Sequence, residues 1–141
     1  MPNPMDTRTA LSQEWTTLQN NHERYEGGAL WIKLVAVLLF FAGAAIAMEP
    51  WLLCLLLLVL WLQEGIFKTW QSRLGSRLLQ VERLLADGSA APEAAFQLHR
   101  GWVAGRKGAT ALLAEYLASA CRPTVAFPHL VLVILALVFQ A

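Results

Sequence analysis

Two apolar runs, residues 29–48 and 51–67, stand back to back with only Glu49 and Pro50 between them. The first carries a single charge, Lys33, close to its start, and the second has only Gln63 and Glu64 near its end. As helices rising 1.5 Å per residue they reach about 30 Å and about 25 Å, close to the thickness of a bilayer's hydrocarbon core. Proline suits the first position of a helix, where its missing N–H would have no partner in any case. The pattern predicts a transmembrane hairpin, its two helices meeting along a shared seam. Composition agrees: 57% of the 141 residues are hydrophobic and 15% charged, with mean hydropathy +0.47, against about 45–50% and about 25% for soluble domains.

A third run, residues 124–141, is apolar except for His129 and Gln140, and is long enough to cross. Pro123 and Pro128 separate it from what precedes. Lys33, the apolar stretch after it and Ala45-Ile46-Ala47 imitate a cleavable signal peptide. Four acids lie ahead of that stretch and a second apolar run follows at once, so retention is expected.

All 11 basic residues lie towards one side of the spans: Arg8 and Arg24 before the first, Lys33 close to its start, then eight from Lys68 to Arg122. The positive-inside rule then places the N-terminus and residues 68–122 in the cytoplasm and the 48–51 tip outside. The C-terminus lies outside if the third run crosses. Trp31, Trp51, Trp61 and Trp70 fall near the expected interfaces, where amphipathic rings concentrate.

Below the membrane the hairpin continues. Leu11, Trp15, Leu18, His22 and Tyr25 have heptad-like spacing, and so do Phe67, Trp70, Leu74, Leu78, Val81 and Leu85. If Met48 meets Trp51, residue i faces residue 99 − i. This register sets Tyr25 by Leu74, Leu18 by Val81, Trp15 by Leu84, Glu26 by Arg73 and Lys33 close to Glu64. The helices are expected over about 8–48 and 51–86, the second stopped by Gly88, since glycine is the usual left-handed terminator. Pro92 and Glu93 open a further helix to about 104, and 109–121 forms another.

The fold expected is therefore an all-α integral membrane protein. A cytoplasmic amphipathic helix (1–28) leads into a long antiparallel transmembrane hairpin (29–67, with spans 29–48 and 51–67). A cytoplasmic helical pair (68–122) and a C-terminal transmembrane helix (123–141) follow.

Chemistry is sparse. His22, His99 and His129 share no ligand spacing and no cluster of acids or thiols, so no metal is expected. His129 reads as an interfacial residue or an interhelical hydrogen-bond partner. Cys54 and Cys121 share no CxxC spacing and read as reduced filler. An ionisable group inside a span is often functional, which singles out Glu64; with Lys33 and Lys68 at hand, a structural ion pair is favoured over a proton or ion relay. Lys33–Glu64 and Glu26–Arg73 are the expected interhelical pairs. Ala36, Gly43 and Ala47 form a small-residue face suited to close helix packing. Residues 68–122 hold eight bases and four acids, and Arg100, Arg106 and Lys107 are expected to meet anionic headgroups. No nucleic-acid module, no cofactor motif and no catalytic arrangement is present. The function expected is that of a small non-enzymatic accessory or scaffold protein of the inner membrane, multi-pass with its N-terminus cytoplasmic. Its partners would be the lipid bilayer and another membrane protein or further copies of itself. The alternative is a homo-oligomeric channel or pore.

Overall fold

A computed structural model describes residues 4–88, 94–105 and 108–139. The described residues form five helices and no strand: α1 (Pro4–Ala45), α2 (Pro50–Asp87), α3 (Leu98–Ala104), α4 (Gly108–Ala120) and α5 (Pro123–Phe139). With 42 and 38 residues, α1 and α2 extend about 63 Å and about 57 Å. Both are long and apolar enough to cross a membrane. Their outward faces carry Leu34, Leu38 and Phe41 on α1 and Leu55, Leu58 and Leu62 on α2, all exposed. A strip of this kind is stable against lipid and costly against water.

The helices run antiparallel, and two apolar clusters hold them. One gathers Ala36, Phe40, Leu53, Cys54 and Leu57 with Leu132 and Ala136 of α5. The other, at the far end, gathers Leu11, Leu18, Leu74, Leu78 and Val81, with Trp15, Tyr25 and Leu84 packed against it. The predicted seam residues thus meet, but in a shifted register. α1 stops at Ala45, three residues early, and Ile46–Glu49 form a four-residue turn in which Ala47 takes φ 50°. In consequence Gly43 abuts Leu53, Lys33 reaches Glu64, His22 lies by Gly75 and Trp15 donates to Glu82. Each partner stands two or three positions earlier in α2 than the 99 − i register requires. Ala47 is accordingly not a packing residue, being exposed in the turn. Ala36 and Gly43 are buried against the hairpin's own core.

The helix expected over 92–104 is shorter. Its first two residues lie outside the described residues, and 94–97 form a turn in which Phe96 takes φ 58°. Only Leu98–Ala104 is helical. The backbone is held in this turn because the Phe96 N–H donates to Glu14 Oε2 at 2.7 Å, a long-range bond that local propensity cannot anticipate. α4 and α5 are bent by 73° at Cys121–Arg122. Pro128, expected to break the chain, lies inside α5. It falls one turn and a half in, and only one carbonyl, that of Thr124, loses its helical donor. Val125, His129, Leu132 and Ala136 are buried at helical spacing and face the hairpin. α5 follows α1 towards the turn, from the level of Glu64 to that of Leu53 and Phe40.

Candidate functional site

The apolar seam is interrupted at one place. Glu64 of α2 and His129 of α5 are both 0% exposed. With the carboxylate ionised, the imidazole Nε2–H donates to Glu64 Oε2 at 2.9 Å. From α1, Lys33 brings its ammonium to 3.1 Å from Glu64 Oε1. That oxygen has no hydrogen bond of correct geometry, so the Lys33 contact is charge against charge rather than a directed bond. Trp61 lies parallel to the imidazole in an offset stack, the ring centroids 6.3 Å apart and the planes at 7°. Its indole N–H donates to the Ala120 carbonyl at 2.9 Å. One carboxylate therefore joins three helices, neutralised by a lysine and oriented by a histidine. Charge in an apolar interior is tolerated only when paired and hydrogen-bonded in this way.

Glycine makes the assembly possible. A Cβ on Gly65 would stand 2.8 Å from the Ala120 Cβ and 3.1 Å from both the Ala120 nitrogen and the Tyr116 carbonyl oxygen. The α4–α5 elbow thus rests directly on the α2 backbone. One turn on, the buried Thr69 hydroxyl is hydrogen-bonded to the Gly65 carbonyl at 3.0 Å and to Ser119 Oγ at 2.8 Å. These contacts place α5 so that His129 meets Glu64.

Nearer the chain's start, a second buried pair fastens the other end. Arg77 donates Nε to Glu14 Oε1 at 2.8 Å and Nη2 to Glu14 Oε2 at 3.1 Å, with the two side chains 6% and 5% exposed. Arg77 also reaches the Ala94 carbonyl at 2.8 Å and Gln80 at 3.0 Å. Because Glu14 accepts the Phe96 N–H as well, this pair ties the 94–97 turn to both long helices. Sequence reasoning missed it. The available signal was an acid next to the Leu11–Trp15 seam and a base between Leu74 and Leu78.

Glu26 and Arg73 are not paired. Arg73 Nη2 donates instead to Glu115 Oε2 at 2.7 Å, because α4 folds back along α2 and delivers Glu115 to that position; Glu26 is exposed. The Arg73 guanidinium lies over the rings of Trp70 and Trp102, at 5.4 and 5.7 Å. Arg100 is exposed on α3, while Arg106 and Lys107 lie outside the described residues. His99 is exposed, far from the Glu64–His129 pair in sequence and on a different helix. Among the described residues no three His, Cys, Asp or Glu side chains gather as metal ligands, and Cys54 and Cys121 are free thiols, one buried and one exposed. An open groove of about 730 Å³ separates α2 from α3 and α4, with Arg73, Trp102, Leu98 and Leu112 among its walls.

Comparison with protein-family models, curated proteins and solved structures finds no match for this chain.

Proposed function

We propose that this chain is a non-enzymatic accessory or scaffold protein of the inner membrane, which acts by holding a partner protein at the cytoplasmic face. In this reading α1, α2 and α5 cross the bilayer, the N-terminus and residues 68–122 are cytoplasmic, and the Ile46–Glu49 turn is outside. The one-sided distribution of Lys and Arg supports the sidedness. The course of α5 beside α1, from Glu64 towards the turn, supports the third span.

The observation that carries the partner role is the exposure of Phe96, Val103, Leu113 and Leu117. These are large apolar side chains on the 94–97 turn, α3 and α4, outside the two apolar runs. Apolar surface beyond the bilayer marks a place where another molecule docks. The ionisable groups inside the bundle are meanwhile absorbed in fastening helices together: Glu64 by Lys33 and His129, Glu14 by Arg77. The small residues that motivated a homo-oligomeric pore, Ala36 and Gly43, are turned inward, so the scaffold is the stronger reading.

A photo-crosslinking amino acid at position 113 or 103 is expected to capture one defined protein in native membranes. The same probe at the outward-facing position 34 is expected to capture lipid, and Leu113→Glu to abolish the protein adduct. Protein capture at 113 that matches that at 34, or that is indifferent to Leu113→Glu, overturns the scaffold reading.

A further inference from the structure

Two acceptor atoms inside the bundle have no hydrogen-bond donor among the described residues, and they stand at the two ends of one contact. They are Glu64 Oε1 and His129 Nδ1, on side chains that are both 0% exposed. Between them the imidazole Nε2–H donates to Glu64 Oε2 at 2.9 Å, so the pair as a whole is a base carrying one negative charge. Lys33 balances that charge from 3.1 Å without a directed bond, and its side chain is 28% exposed. The ammonium over Oε1 is therefore the loosest member of the cluster and the one nearest water. The neighbouring charged groups are engaged or outside. Along α2, Lys68 donates to Gln71 at 2.8 Å; on α4, Glu115 accepts from Arg73; at the bend, Cys121 and Arg122 are exposed. Trp61 and the half-buried Tyr116 bring no charge to the pair.

The carboxylate has one negative charge to offer. A proton taken up by the pair neutralises it, whether it rests on Glu64 Oε1 or on His129 Nδ1, because two groups joined by one hydrogen bond titrate as a unit. Lys33 would then be an unpaired cation inside an apolar run, which an apolar interior does not tolerate. It has a way out. It stands four residues past the start of the run, about 6 Å along α1, within the length over which a lysine stem carries its ammonium to the interface. We infer that Glu64 and His129 form a one-proton binding site whose occupation releases Lys33. Proton and ammonium exchange on one carboxylate: a proton from water forms the new O–H or N–H bond, and the departing ammonium removes the surplus charge. Without the proton, Glu64 ties α2 to α1 through Lys33 and to α5 through His129. With it, the α5 tie remains and the α1 tie is gone. The switch goes beyond the scaffold reading, and no residue of the docking patch takes part in it.

The test is acylation of the full chain by an amine-reactive ester in phosphatidylcholine nanodiscs, with Lys33 read by mass spectrometry against Lys68 at a series of pH values. Taking the ratio cancels the general loss of amine reactivity in acid. In the wild type the Lys33-to-Lys68 ratio is expected to rise about fivefold as pH falls, the low end of the coupling between linked sites. In Glu64→Gln, which has no charge to hold the ammonium, the ratio is expected to be high and flat. Linkage is reciprocal, so Lys33→Gln is expected to let the pair take its proton at about fivefold lower proton concentration. That uptake is followed by the pH-dependent infrared difference signal that Glu64→Gln abolishes. A flat ratio in the wild type, a ratio that still rises in Glu64→Gln, or proton uptake at unchanged pH in Lys33→Gln overturns the proposal. None of these results bears on capture at position 113, so the two readings fail separately.

Discussion

Three ion pairs of this chain look alike on a contact map and differ widely in what they hold. Arg77–Glu14 is nearly dry, and removing one member leaves an uncompensated charge inside a bundle. That costs about 3–5 kcal/mol. Arg73–Glu115 ends in a half-exposed carboxylate and is worth about 0–1 kcal/mol. Arg77→Ala is therefore expected to unfold at markedly lower denaturant than wild type in detergent micelles, and Glu115→Ala close to wild type; equal shifts would mean that burial does not rank these pairs. Glu64 falls between them. Its ammonium partner is 28% exposed and can swing its long stem outward when the carboxylate goes, whereas the His129 N–H cannot leave. Glu64→Ala strands that donor at a cost of about 1–3 kcal/mol. Glu64→Gln keeps an acceptor in place and loses only the charge contact. Gln is thus expected to be clearly milder than Ala in the same unfolding series, and parity between them would show that His129 contributes no bond.

At the scale of helices, the glycines separate by what stands opposite each one. Gly27 meets nothing within 4 Å and lies inside α1, so Gly27→Ala gains helix propensity, about 0.5–1 kcal/mol. Gly43 faces the flexible end of Leu53 at 3.0 Å, which can turn aside. Gly65 faces backbone of the α4–α5 elbow at 3.1 Å, which cannot. Gly65→Ala is expected to lift the elbow and lose hydrogen-exchange protection across 108–120, while Gly43→Ala leaves that segment unchanged. Protection that persists in Gly65→Ala would show that the elbow does not rest on α2. The same contrast explains what was legible in advance. The two long helices and their mutual seam follow from periodicity alone, since Leu11, Leu18, Leu74 and Val81 repeat at heptad spacing. The register slipped because Ala47 adopts a left-handed turn conformation that nothing in Ala45-Ile46-Ala47 announces. Replacing it by glycine relieves that strain and is expected to stabilise the hairpin by about 1 kcal/mol.

At the scale of the whole molecule, what the sequence withheld is the third partner. Lys33 and Glu64 can be matched as two helices of one hairpin, yet His129 joins them only because a bent pair of helices folds back along α2, and Arg73 changes carboxylates for the same reason. Long-range docking of this kind depends on shape at Gly65 and on a Glu14 bond to Phe96, neither of which has a periodic signature. The membrane itself is the strongest global constraint, and the thiols report on it directly. Cys121 is exposed at the α4–α5 bend and Cys54 is buried in the core cluster. A membrane-impermeant maleimide is expected to label native Cys121 in inverted vesicles only and to leave Cys54 untouched on either side. Ala47→Cys, placed in the exposed turn, adds a second thiol that reacts from the opposite side alone. Opposite sidedness requires α1 and α2 to cross once each, since the bend stands at the Trp61–Gly65 level of α2 and the turn at its start, at opposite ends of the second apolar run. If both thiols react from the same face, the hairpin lies along the surface instead of through it.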